Sequence, residues 1–285
     1  MTIFSDRFSA LAPDYDVVLS DVWGVVHNGV NAFAEACDAL TRFRQSGGTV
    51  VLITNAPRPH ESVERQLAHF GVPRDVYDGV VSSGDVSRSV IRERSGQTLL
   101  HVGPTRDHVI FDGLDVTFAP VERADYVVCS GLFDEENETP DSYSDLLGVM
   151  RKRNLFMLCG NPDVVVERGE DILYCAGAIA DVYGKLGGDV LYAGKPYAPI
   201  YDQALALAAD ARGSATARRR VLAIGDSVRT DFRGAADNGI DCLFVTSGIH
   251  AGEFGGRDDP DPDAVEKIFA ETGSMPRAIA RRLKW

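Results

Sequence analysis

At 285 residues, 45% of them hydrophobic and 25% charged, the chain has the make-up of an ordinary globular protein, which argues against disordered or fibrous architectures. It is longer than one comfortable core and predicts two domains. Its net charge of −13 repels nucleic acid and anionic membrane surfaces, so neither is expected as a partner, and an anionic ligand needs a local attraction.

The opening stretch "MTIFSDRFSALAPDY" has no basic segment leading into an apolar one, and no apolar run approaches the roughly 20 residues that span a bilayer; a cytoplasmic protein is expected. "DVVLS" (16–20) then reads as a strand. In "NAFAEACDALTRFRQSGG", Phe33, Cys37, Leu40 and Phe43 share one helical face, and the helix is expected to stop at Gly47-Gly48. "TVVLIT" (49–54) predicts a second strand, and "PHESVERQLAHFG" a second helix with Val63, Leu67 and Phe70 inward. From about 80 to 187, strands over "TLLHVG", "DVTFAP", "DYVVCSG" and "LFMLCG" alternate with polar helical stretches and suggest a separate small α/β unit. The first rhythm resumes with strands over "VLYAG" (190–194), "RVLAIGD" and "CLFVTSG", and helices over "YAPIYDQALALAADA" and "RTDFRGAADNG". The acidic "RDDPDPD" and the basic end "RAIARRLKW" read as solvated loop and helix faces. Five cysteines, odd in number and without CxxC spacing, read as reduced, packed thiols.

Alternating strands and helices predict a doubly wound parallel-sheet core from residues 1–79 and 188–285, with a smaller α/β cap inserted over 80–187. Four strands of the core rhythm run into polar residues: Asp21, Thr54 with Asn55, Lys195, and Asp226. Ligands of open α/β sheets bind beyond the carboxyl ends of the strands, so these residues are expected to converge there. One such Asp is commonly only a helix cap or turn residue. Four together suit phosphoryl transfer: Asp21 and Asp226 offer Mg²⁺ the oxygen ligands it prefers, with Asp231 as a further outer ligand. Thr54, Asn55 and Lys195 would hold phosphate oxygens, and an aspartate can serve as nucleophile.

At these residues the chain resembles the haloacid dehalogenase superfamily of phosphatases. "DVWGVV", "VLITNA", "AGKP" and "IGDSVRTD" stand in the order of its four motifs, and "GNPD" with "YAGKPY" is similar to the branch with an α/β cap between the second and third. The resemblance spans about residues 15 to 250. It implies a Rossmann-like core and Mg²⁺-dependent hydrolysis of a small phosphomonoester, such as a sugar phosphate or nucleotide, through an aspartyl phosphate on Asp21. Asp21, the Trp23 carbonyl and Asp226 would bind the metal. Thr54 and the Asn55 backbone would hold the phosphoryl group, Lys195 would balance charge, and Ser227, Arg229 and Thr230 would lie beside the substrate. Asn161 and Asp163 are the expected contacts from a cap that closes over the site. A small phosphorylated metabolite is the expected partner, and a homodimer stays open.

One position departs from the pattern. The family's first motif is Asp-x-Asp-Gly, and this chain has Asp21-Val22-Trp23-Gly24. The second Asp ordinarily acts as general acid and base, and an indole N–H does neither. Losing such catalysis costs about 10²- to 10⁴-fold. His27 or Asp163 substituting for it, a leaving group that needs no proton, and a phospho-ligand binder or regulator that has lost turnover are the alternatives.

Overall fold

The computed structural model describes residues 7–168, 171–257 and 259–285. Along the chain the elements are β1 (Val17–Asp21), α1 (Ala34–Gln45), β2 (Thr49–Thr54), α2 (His60–His69), β3 (Gly79–Ser82), α3 (Ser83–Glu93), β4 (Thr98–Val102), β5 (Thr117–Phe118) and β6 (Tyr126–Cys129). They continue as α4 (Ser144–Lys152), β7 (Phe156–Cys159), β8 (Val165–Arg168), β9 (Asp171–Tyr174), α5 (Ala176–Lys185) and β10 (Asp189–Tyr192). The last are α6 (Ala198–Arg212), β11 (Val221–Gly225), α7 (Arg233–Asp237), β12 (Asp241–Val245), α8 (Pro262–Thr272) and β13 (Ala278–Ala280).

The chain divides into two compact units: residues 1–54, 64–81 and 201–285 form the first, and 55–63 with 82–200 the second. Relative to the expected boundaries, residues 55–63 and 188–200 fall in the second unit. Among the described residues no helix is long and apolar enough to cross a membrane.

The first unit is built on a six-stranded sheet in the order β13-β12-β11-β1-β2-β3. β1 lies between β2 and β11 and pairs with both in parallel, and β11, β12 and β13 continue in parallel. From β1 the chain runs outward to β2 and β3, then returns to β11 on the other side, which is the doubly wound arrangement. Val17–Leu19, Val50–Ile53 and Val221–Ile224 are buried throughout, so these strands read as continuous apolar runs. α1 buries Cys37, Leu40 and Phe43 as its spacing predicts, and the chain leaves it through Gly47 at φ +95°.

The second unit carries a parallel sheet, β10-β7-β6-β4-β5, and an antiparallel pair, β8 with β9. Leu147 and Met150 of α4 and Ile179, Ala180 and Tyr183 of α5 pack with Val127, Cys129, Met157 and Cys159 of the sheet into one core. All five cysteines of the chain are buried free thiols.

Two expectations are corrected. "VLYAG" is not a strand of the first sheet: β10 pairs with β7, Asp189 opposite Phe156 and Tyr192 opposite Cys159. Three strands of that sheet, not four, therefore deliver predicted site residues, and Lys195 belongs to the second unit. A short apolar run has the same look in either sheet, because pairing is a long-range choice. "RAIARRLKW" is not a solvated face throughout either: Ala278, Ile279 and Ala280 form β13, buried against β12. Residue 258 of "RDDPDPD" lies outside the described residues, while Asp261 accepts a hydrogen bond from the Asp263 N–H and caps α8.

Candidate active site

β1 ends at Asp21, β2 at Thr54, and Asp226 follows directly on β11. In register, Asp21 pairs with Ile53 and Ser20 with Ile224, so Asp21, Thr54 and Asp226 leave the same carboxyl edge of three adjacent strands. Strand order reverses between β1 and β11, so Asp21 and Asp226 flank the topological switch point, where such sheets bind ligands. Asp231 joins them from the turn after β11. Carboxylate oxygens of Asp21, Asp226 and Asp231 all lie within 4.8 Å of one another, and the three residues are 7, 5 and 3% exposed.

Backbone groups fix these carboxylates. Asp226 Oδ2 accepts the Ile249 N–H at 2.8 Å, and a Cβ at Gly248 would overlap the Asp226 side chain. Asp231 Oδ2 accepts the Ser227 N–H at 3.1 Å. Ser227 Oγ accepts the Thr230 N–H at 3.3 Å and starts the single π-turn over Val228–Phe232, where the sequence suggested a plain helix. Ser227 and buried Thr230 are thus engaged in shaping the turn, and Arg229 is exposed. Three carboxylates this close and this buried repel one another when ionised, and a divalent cation is the natural offset. An all-oxygen donor set suits Mg²⁺.

Trp23 belongs to a closed arch. The Gly24 N–H donates to the His27 carbonyl at 2.8 Å, and the Gly29 N–H donates to His27 Nδ1 at 2.9 Å. The half-buried indole meets the His27 ring edge-on at 5.1 Å, and His27 lies 4.7 Å from Phe70. His27 is buried and burial pushes its pKa down to about 4, so it is a neutral imidazole with Nδ1 already accepting.

Within the second unit, buried Asn55 is a hub. Its Nδ2 donates to Asp163 Oδ1 at 2.9 Å and to the Lys195 carbonyl at 3.2 Å, and its Oδ1 accepts the Lys195 N–H at 2.7 Å. Asn161 Oδ1 accepts the Asp163 N–H at 3.1 Å, and Ser83 Oγ, unremarked in the sequence, donates to Asn55 Oδ1 at 3.4 Å. The predicted residues therefore assemble as two groups: Asp21, Trp23, Thr54, Asp226 and Asp231 with the 227–230 turn in the first unit, and Asn55, Asn161, Asp163 and Lys195 in the second. Besides Ser83, sequence reasoning missed Gly248 and Ile249 and gave Gly24 of the first motif no role; no spacing signal marks a backbone N–H that supports a carboxylate.

A haloacid dehalogenase-like family hydrolase of solved structure from Brucella suis 1330 is 45% identical to this chain, covers 98% of it and 100% of itself, and superposes with a TM-score of 0.88. The chain belongs to the haloacid dehalogenase-like hydrolase family. The family model described as haloacid dehalogenase-like hydrolase matches residues 18–117 and a second HAD-like hydrolase model matches 192–272, so the matches take in Asp21, Thr54, Lys195 and Asp226. This hydrolase also shares its fold with a possible sugar phosphatase from Cytophaga hutchinsonii ATCC 33406, at 20% identity, TM-score 0.79, and coverage of 98% of this chain and 97% of the other. The 5′-nucleotidase YutF of Bacillus subtilis is 23% identical over 82% of this chain and 88% of its own length.

Proposed function

We propose that this hydrolase is a phosphoric monoester hydrolase that cleaves a small phosphorylated metabolite, with Mg²⁺ as cofactor and Asp21 as nucleophile. The observation that carries the reading is the buried carboxylate triad of Asp21, Asp226 and Asp231 at the switch point of the sheet. Its relatives, named for nucleotide and sugar phosphate chemistry, support phosphomonoesters as the substrate class.

In this reading Asp21, Asp226 and the Trp23 carbonyl hold the metal, and Asp231 supports them. Bound there, Mg²⁺ would supply charge neutralisation for the phosphoryl oxygens. Thr54 and the Asn55 backbone orient the phosphoryl group, and the Lys195 ammonium balances its charge and that of Asp21. An Asp21 oxygen attacks phosphorus to form an aspartyl phosphate, which water then clears. Asn161, Asp163, Ser227, Arg229 and Thr230 contact the rest of the substrate. Asn55 hydrogen-bonds both Asp163 and Lys195, so these residues of the second unit are held in one arrangement.

Trp23 favours one second reading, a binder that retains the phosphate and metal pocket without turnover. A screen of phosphorylated metabolites, scored for inorganic phosphate release and for thermal stabilisation, separates the two. Release from at least one compound supports the enzyme; stabilisation without any release supports the binder.

A further inference from the structure

We propose that this enzyme acts on phosphate monoesters of acidic hydroxyls, those of phenols or enols, whose leaving group departs as an anion without receiving a proton. The inference rests on phosphomonoester hydrolysis at Asp21 and narrows its substrate class.

Position 23, two residues beyond Asp21 in the loop that leaves β1, holds an indole, whose N–H donates a hydrogen bond and has no useful acidity. The structure shows this indole to be built into its surroundings. Its six-membered ring rests on Gly29, where an ideal Cβ would come within 2.6 Å of two ring carbons and φ is +83°. Its other neighbour is the His27 ring at 5.1 Å, itself fixed by the Gly29 N–H and by Phe70. Trp23, His27, Gly29 and Phe70 thus form one packed aromatic arch, and the side chain at position 23 is committed to apolar contact. In the second unit, Asp163 Oδ1 accepts from the Asn55 amide at 2.9 Å.

Such a site still completes both half-reactions when the leaving oxygen is acidic. In the first, an Asp21 carboxylate oxygen bonds to phosphorus, and the phosphorus–oxygen bond to the leaving group breaks with its electron pair passing to that oxygen. In the second, the oxygen of water bonds to phosphorus, the bond to Asp21 breaks, the pair returns to the carboxylate, and one water proton passes to the departing phosphate. The aspartyl phosphate is an acyl phosphate whose leaving group is a carboxylate, so its breakdown needs no proton donor either. Esters of alkyl hydroxyls lack that advantage, and for them a general acid is worth about 10²- to 10⁴-fold.

The test is kcat/KM of the Mg²⁺-loaded full-length enzyme over a series of ring-substituted aryl phosphates and one alkyl phosphate, glycerol phosphate. The expected result is a steep, continuous fall as the leaving-group pKa rises toward the about 10 of an unsubstituted phenol. Glycerol phosphate is expected to be slower still by at least about 10²-fold. With the fastest ester, a burst of phenolate and a phosphorylated protein trapped by acid quench and intact mass are expected, because breakdown of the shared aspartyl phosphate then limits turnover. Trp23→Asp is expected to flatten the series, raising the glycerol-to-aryl rate ratio by about 10²-fold; if that variant does not fold, the wild-type series decides alone. A flat wild-type series with prompt glycerol phosphate cleavage would overturn the inference while leaving the phosphatase reading intact. Absence of release from every ester would overturn both.

Discussion

Gly24 lies against Asp226 so closely that a Cβ at position 24 would overlap the carboxylate, and its φ of +81° is one that glycine alone adopts freely. The loop carrying Trp23 and the turn carrying Asp226 are thereby fitted to each other. Gly24→Ala strains the backbone by about 1–2 kcal/mol and pushes Asp226 away from Asp21. A displacement near 1 Å at a reacting centre costs about 10²-fold in rate, so metal affinity by calorimetry and phosphate release are both expected to fall at least that far. Unaltered metal binding in a folded Gly24→Ala protein would contradict the fit.

Asn55 is expected to matter through its side chain. Asn55→Ala removes the amide that accepts the buried Lys195 N–H and donates to Asp163, and a buried donor left unsatisfied costs about 1–3 kcal/mol. Asn55→Asp is expected to be worse than alanine, because it sets a second carboxylate against Asp163. Thermal unfolding of the three proteins checks the order: wild type highest, alanine lower, aspartate lowest.

Much of this was legible in the sequence, for a physical reason. β1, β2 and β11 are buried on both faces, so each appears as a largely apolar run, with buried Ser20 inside β1, that closes on a polar residue, Asp21, Thr54 or Asp226. The sheet to which β10 belongs was not legible, since pairing with β7 depends on contacts the run itself does not encode. β13 was hidden because three residues flanked by arginines are too short to show a period. The Asn55 hub joins residues 108 and 140 positions apart, and the motif containing Asn55 reads the same whether its backbone or its side chain is used.

A buried imidazole, His27, and a half-buried one, His101, make the fold sensitive to acid. Burial holds His27 near pKa 4, and burial together with neighbouring His108 holds His101 near the same value. Each is depressed below the ordinary 6.5, so the unfolded chain binds more protons between pH 6.5 and 4. Stability is then full above about pH 6.5 and is lost as the pH falls through that window toward 4. For His27 the loss approaches about 3 kcal/mol. Denaturant unfolding from pH 7 to 4.5 should show the decline, and a shallower one in His27→Gln.

The C-terminal strand is expected to be structural. Ile279 is 1% exposed in β13, and shortening it to alanine removes buried volume worth about 2–4 kcal/mol. Ile279→Ala should lower Tm by several degrees while kcat for a cleaved phosphate ester changes little. An unchanged Tm would contradict the burial of this strand.

The most direct measurement is the initial rate of p-nitrophenyl phosphate hydrolysis as Mg²⁺ is titrated into chelator-treated protein, in the wild type and in Asp21→Asn and Asp226→Asn. The carboxylate triad predicts no wild-type rate without metal and saturable activation with it. It also predicts loss of the rate at every concentration in Asp21→Asn, and activation shifted to higher Mg²⁺ in Asp226→Asn. A wild-type rate that ignores the metal, or one that survives Asp21→Asn, would contradict it.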